Sequence, residues 1–210
     1  MTESEKMSWD LSQLVEFEDP FYIEERLSAV VKAWNDFRDK HRGKITTYNI
    51  QQVLAMIEEM QGIAIEYDGA ILYPRIAYAA DMNQEISKRL YDKVRDADSR
   101  GRQARAFMSL ELGKLIEETP AIVDDPILVE YKHMMEKLQR SIPHMLSEAE
   151  EQLIIAKDKN GVQAWSILQG DWLASRTYEI EIDGEMKTLP YGEIVGLYSH
   201  PDRDLRKRVH

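Results

Sequence analysis

Apolar residues recur three and four positions apart over most of this chain, and that spacing confines it to helices that must bury one face each. Leu27, Val30, Val31, Trp34 and Phe37 make the first stripe. On a helix with 3.6 residues per turn these side chains share a face. Asp19-Pro20 opens this helix, since Asp caps free amides and Pro at the first position loses no hydrogen bond. Gly43 ends it by admitting positive φ. Ahead of it, residues 1 to 8 read as a mobile tail, with Trp9, Leu11, Leu14 and Phe17 as a short anchor.

A second helix starts near Thr47 and carries Ile50, Val53, Leu54, Ile57 and Met60. Gly62 separates it from a third helical stretch, Ile63 to about Asp81, which Pro74 should kink or break. A long helix spans about Gln84 to Glu118, with Ile86, Leu90, Val94, Ala97, Gly101, Ala104, Met108 and Leu115 inward. Gly101 marks either a close helix approach or a local bend. The charged stretch Asp96 to Arg105 reads as solvated. Asp125-Pro126 opens a fifth helix with Leu128, Tyr131, Met134, Met135 and Leu138, stopped by Pro143. Ser147 and Glu150 form a capping box for the next helix, which ends at Asn160-Gly161. Another helix carries Ala164, Trp165 and Leu168.

The period then changes to two. Tyr178, Ile180 and Ile182 alternate with Glu179 and Glu181, and Asp183-Gly184 precedes Met186 to Leu189. This predicts one β-hairpin near 176–189 with a type I′ turn. Two strands alone are marginal in water, so the pair should pack on a helix or join a partner. A short helix follows Pro190, and Ser199-His200-Pro201-Asp202 opens another. The fold class is therefore mainly α, a multi-helix bundle or array with one hairpin. No internal repeat is visible.

Composition narrows function. With 27 Lys+Arg against 38 Asp+Glu, the formal charge is -11. Such a chain repels phosphate backbones and anionic bilayers, so neither nucleic acid nor membrane is an expected partner. There are no cysteines, which removes thiolate chemistry and leaves only His and carboxylates for zinc. The acidic N-terminus has no apolar run behind it, and the reading is a cytoplasmic protein.

No catalytic constellation emerges. The five histidines are His41, His133, His144, His200 and His210, and none lies in H-E-x-x-H. Glu130 and His133 form one E-x-x-H, as helical di-iron sites use, but such a site needs a second copy and two more carboxylates. Two solvated helix residues are its commoner fate. Glu148, Glu150 and Glu151 could be paired carboxylates, although a capping box with favourable charge at a helix N-terminus explains them better. Tyr67, Tyr73, Tyr78 and Tyr91 could line a peptide groove, but more often are core or core rim. Arg203 to Arg208 reads as the polar face of a helix. Catalytic and metal residues are thus none, and peptide-binding residues unknown.

Several segments, in order, resemble oligoendopeptidase F-type zinc metallopeptidases, relatives of thimet oligopeptidase. Trp9-Asp10-Leu11-Ser12 with Leu14 is similar to their W-D-L-S-x-L opening. Arg42-Gly43-Lys44-Ile45 matches the turn after their first long helix, and Ile76-Ala77-Tyr78-Ala79-Ala80-Asp81 their tyrosine-rich helix. Phe107 with Glu111-Leu112 resembles F-x-x-x-E-L. Leu146-Ser147-Glu148-Ala149-Glu150-Glu151, then Lys157, Gly161, Ala164 and Trp165, resembles L-S-E-x-E-E followed by a lysine and G-x-x-A-W. Ser199, Pro201-Asp202-Arg203 and Arg206-Lys207 look like the start of the peptidase domain.

The resemblance implies an N-terminal, non-catalytic portion, with residues 1–120 an N-terminal helical region, 121–198 a helical lobe with the hairpin, and 199–210 a truncated start of the peptidase domain. It implies a wall of a channel that admits short peptides. Its partner would be the C-terminal catalytic domain of the same polypeptide. Zinc would belong to that parent enzyme, held by two His of H-E-x-x-H and a later Glu, with no cofactor in this fragment. The alternative is a freestanding helical interaction module without enzymatic activity.

Overall fold

The structure is a computed structural model that describes residues 10–82 and 84–209. The tail, Trp9 and His210 lie outside the described residues.

Three long helices carry the main core. Helix α1 (Pro20–His41) starts where the Asp19 carboxylate accepts from the Tyr22 amide at 3.1 Å. It buries Ile23, Leu27, Val30, Val31, Trp34 and Phe37, the expected stripe. Gly43 turns the chain with φ of 79°. After a short 3-10 turn at Ile45–Thr47, α2 (Ile50–Ala80) begins under a reciprocal cap between Asn49 and Gln52. Helix α3 (Glu85–Glu118) packs on both α1 and α2, which also pack on each other. Phe37, Phe107, Leu112, Ile57 and Met56 sit at the centre, almost wholly buried.

Two expected interruptions are absent. Gly62 and Pro74 both lie inside a continuous α2. Nothing approaches within 4 Å of where a Gly62 Cβ would stand, so Gly62 is only a weak spot of about 1 kcal/mol that the flanking stripe overrides. Pro74 forfeits one helical hydrogen bond, yet Ala70, Pro74 and Tyr78 make a buried line four residues apart. Burial of that line holds the helix through the proline.

Gly69 meets a different demand. The Leu14 carbonyl oxygen lies 1.7 Å from the position a Cβ would occupy there. The segment before α1 therefore crosses α2 in direct backbone contact. Its Phe17 remains exposed and stands edge-on to Tyr22 at 5.3 Å. Gly101 resolves as a close approach, because its missing Cβ leaves room for the Trp34 indole of α1.

The fifth helix starts later than its Asp-Pro signal. Asp125 caps a 3-10 segment, Pro126–Tyr131, and only then does α4 (Lys132–Ser141) begin. Helix α5 (Glu148–Asn160) lies against α3, and α6 (Val162–Ala174) follows it after Gly161. Strands β1 (Thr177–Ile182) and β2 (Glu185–Pro190) pair antiparallel, Ile180 opposite Lys187. Asp183 and Gly184 have φ of 54° and 81°, as a type I′ turn requires. The hairpin packs on α7 (Tyr191–Gly196) and α8 (Arg203–Val209). Ile180, Ile194 and Leu205 form a second, separate buried cluster there.

Candidate functional site

Two side-chain networks tie distant segments together. Glu111 on α3 accepts from the Gly43 amide at 2.7 Å and from the Ile45 amide at 3.2 Å. Arg42, in the same turn, pairs with Glu148 at 2.9 Å. Glu148 sits one residue after Ser147, whose amide donates to Glu150 at 2.9 Å. Hydrogen bonds from the Ser147 hydroxyl and amide hold the Glu150 carboxyl below its ordinary range. Glu150 thus serves a cap and Glu148 an ion pair at the start of α5, while Glu151 only adds negative charge to that first turn. The turn after α1, the middle of α3 and the start of α5 meet at one place, although they are scattered along the sequence.

The second network lies where α2, α3 and α6 diverge. Tyr78 and Tyr91 stack with centroids 4.6 Å apart and planes within 9°. Tyr78 donates to Asp171 of α6, which Lys88 also engages at 2.6 Å. Burial first, then the adjacent Asp171 carboxylate, drives the Tyr78 hydroxyl far above its ordinary pKa, so it stays a proton donor. Burial pushes the Asp171 carboxyl up, but hydrogen bonds from Lys88 and Tyr78 outweigh it and leave the group below its usual range. Beside this stack opens a cleft of about 560 Å³ lined by Tyr78, Tyr91, Arg75, Arg95, Asp98, Arg102 and the inner turns of α6.

The four candidate tyrosines therefore do not form one groove. Tyr78 and Tyr91 line this cleft, Tyr73 packs on the main core, and Tyr67 lies under the Arg26 guanidinium at 4.4 Å. Desolvation raises the Tyr67 and Tyr73 hydroxyls as well. The stretch from Asp96 to Arg105 is not a solvated face. Ser99, Gly101 and Ala104 are buried, and of the charged residues only Arg100 is exposed. Asp98 attracts Arg75 and Arg102, Asp96 pairs with Lys159 of α5, and Arg105 covers the Trp34 ring at 4.5 Å.

Glu130 and His133 are both exposed and fall on either side of the junction between the 3-10 segment and α4. They do not share one regular helical face. His144 borders a second cleft, of about 490 Å³, with Arg105 and Glu151. The His200 ring accepts from the Asp202 amide at 3.1 Å and helps start α8. Arg206 of α8 donates to the His200 and Pro201 carbonyls, while Lys207 pairs with Asp204. Among the described residues no three His, Asp or Glu side chains gather as metal ligands.

Sequence reasoning missed His41. It is buried, with Nδ1 2.8 Å from the Tyr48 hydroxyl and Nε2 3.1 Å from Glu59. The signal was available: His41 follows Phe37 by four and continues the α1 stripe. Burial pushes the Glu59 carboxyl up, but hydrogen bonds from Lys40 and His41 bring it below its ordinary value.

Comparison with known proteins supports the resemblance seen in the sequence. Residues 116–186 match the family described as Oligopeptidase F. The fold matches the crystal structure of oligoendopeptidase-F from Enterococcus faecium with a TM-score of 0.67 at 19% identity. That match covers 91% of this chain and 38% of the Enterococcus chain, so this chain spans well under half of the enzyme it resembles. No curated protein matches. No helix among the described residues is long and apolar enough to cross a membrane.

Proposed function

We propose that this chain, whose fold and central segment both match oligoendopeptidase F, is the non-catalytic N-terminal portion of a zinc metallo-oligopeptidase and forms part of the wall of its peptide channel. The parent enzyme would hydrolyse short peptides in the cytoplasm, with zinc held in its C-terminal domain. The observation that carries this is the fold match, which takes in 91% of the chain while using 38% of the Enterococcus enzyme.

The surface of α6 supports the reading. Val162, Trp165, Leu168 and Trp172 follow one another at spacings of three and four, and all are exposed. Neither α5 nor α6 buries a single residue fully. A contiguous apolar face of this kind on a soluble domain marks a contact surface. The catalytic domain of the same polypeptide is the partner that would cover it, and its seating there would close the channel.

The test compares two products. One is the 210-residue chain; the other continues along the reading frame past His210. Each is incubated with zinc and a mixture of short unstructured peptides, and products are followed by mass spectrometry. Chelator-sensitive cleavage should occur with the longer product alone. Zinc-dependent turnover by the 210-residue chain would refute the proposal. A stop codon directly after His210 would also overturn it and favour a freestanding interaction module.

A further inference from the structure

The cleft between α2, α3 and α6 has a charge that the rest of the chain does not. The protein carries a formal charge of -11. Yet Arg75, Arg95 and Arg102 converge on this one cavity, where the lining supplies a single carboxylate, Asp98. Arg75 lies 3.5 Å and Arg102 3.4 Å from the same oxygen of that carboxylate. Arg95 also reaches Asp92, at 3.3 Å, which points to solvent. Three guanidinium groups thus face two carboxylates, and one positive charge is left over.

The hydrogen bonding is incomplete in the same sense. The Nε atoms of Arg95 and Arg102 are buried and find no acceptor among the described residues. Arg102 Nε is near enough to Asp98 for attraction but is not aligned to donate. A buried donor without an acceptor is costly, and a planar guanidinium accepts an oxyanion in a forked geometry. Only 14% of the Arg95 side chain is exposed, and its Nη2 donates to the Lys159 carbonyl at 2.5 Å, so its head is fixed and Nε is the donor left over. Tyr91, one turn before Arg95 on α3, and Ile167 of α6 supply apolar surface to the same cavity. At about 560 Å³ the space suits a small molecule rather than a water or two.

We propose that this cleft is a binding site for a small oxyanion, a carboxylate or phosphate group carried on a short apolar body, held by Arg75 and Arg102 with Arg95 behind them. The shared chemistry is the oxyanion. It could be the terminal carboxylate of a short peptide or the phosphate of a small metabolite. The inference does not rest on the peptidase reading, since it needs no zinc and no catalytic domain.

The test is calorimetric titration of the 210-residue chain at constant ionic strength set with sodium chloride. The probes are inorganic phosphate, N-acetyl-tetra-alanine as the free acid, and the same peptide as its C-terminal amide. The expected result is saturable binding of phosphate or of the free acid, with the amide at least tenfold weaker than the acid if the acid binds. Preference for the free acid assigns the site to peptide termini; preference for phosphate assigns it to phosphorylated small molecules. Arg75→Gln and Arg102→Lys should each weaken binding about tenfold or more, whereas Arg140→Gln on α4 should not. Arg75 lies at the cleft edge and its replacement leaves the α3 core intact, so circular dichroism of that variant should be native. Absence of saturable heat with both oxyanions would overturn the proposal, as would undiminished affinity in a natively folded Arg75→Gln.

Discussion

Removing the Glu111 carboxylate should destabilise the protein out of proportion to its place on a helix surface. Two backbone amides, of Gly43 and Ile45, donate to it at 2.7 and 3.2 Å. A hydrogen bond to a charged group contributes about 1.5–3 kcal/mol. Gly43 is exposed, and water can replace its partner in the variant. Ile45 is wholly buried, and its amide would be left without an acceptor. Counting the Ile45 bond in full and the Gly43 bond at a discount gives about 2–3 kcal/mol for Glu111→Ala. For a chain of this size 1 kcal/mol corresponds to roughly 2–4 °C, so Tm should fall by roughly 4–12 °C. Glu111→Gln should lose less, because its carbonyl oxygen can still accept from the buried Ile45 amide while its amide nitrogen faces the exposed Gly43 N–H. Differential scanning calorimetry at neutral pH measures both. A fall of less than about 2 °C in Glu111→Ala, equivalent to under ~1 kcal/mol, would show that the carboxylate does not hold this turn.

Three other outcomes follow from the structure. Gly69→Ala forces the Leu14 carbonyl away from α2; overpacking of about 1–3 kcal/mol should speed proteolysis before Pro20 by roughly five- to hundredfold, and equal digestion rates would contradict the backbone crossing. Lys40 and His41 depress the Glu59 carboxyl below its ordinary value near 4.5, so its contribution is complete above that pH and disappears as pH falls through the lower folded-state value. The stability gap between wild type and Glu59→Gln in urea titrations should therefore shrink on acidification from neutral pH, and a constant gap would count against the network. Ile180→Ala removes one of three buried residues in the hairpin cluster; a loss of about 2–4 kcal/mol should strip hydrogen-exchange protection from residues 177–209 while α1 to α3 keep theirs, and uniform loss would mean the two cores unfold together.

Local chemistry was legible and remote contact was not. Asp19-Pro20, Ser147 with Glu150, and Asp183-Gly184 each act within four residues, and each works in the structure as its side chains dictate. The α1 stripe was equally readable because its period is set by the helix itself. Gly62 and Pro74 misled for the opposite reason. Their local preference is real but small beside the burial of the turns that flank them. The Asp125-Pro126 signal marked a cap correctly but not the type of helix that followed, since the 3-10 segment precedes α4. Asp96 to Arg105 looked solvated because charge usually means water. In the structure its carboxylates and guanidinium groups are partnered from α2, α5 and the Trp34 ring. The cleft needed three elements to exist, and Glu111 finds its partners 66 and 68 positions away, so neither could be read from one stretch of sequence.

The bare face of α6 also gives the protein an optical property. Of its four tryptophans, Trp34 is sealed in the core, while Trp165 and Trp172 are 71% and 54% exposed. Indole emission from those two should be water-relaxed and open to collisional quenchers. Whatever settles on the helix would displace that water and shift their emission toward the blue. Association at this face can therefore be followed on the unlabelled chain, with Trp34 as the internal signal that stays put.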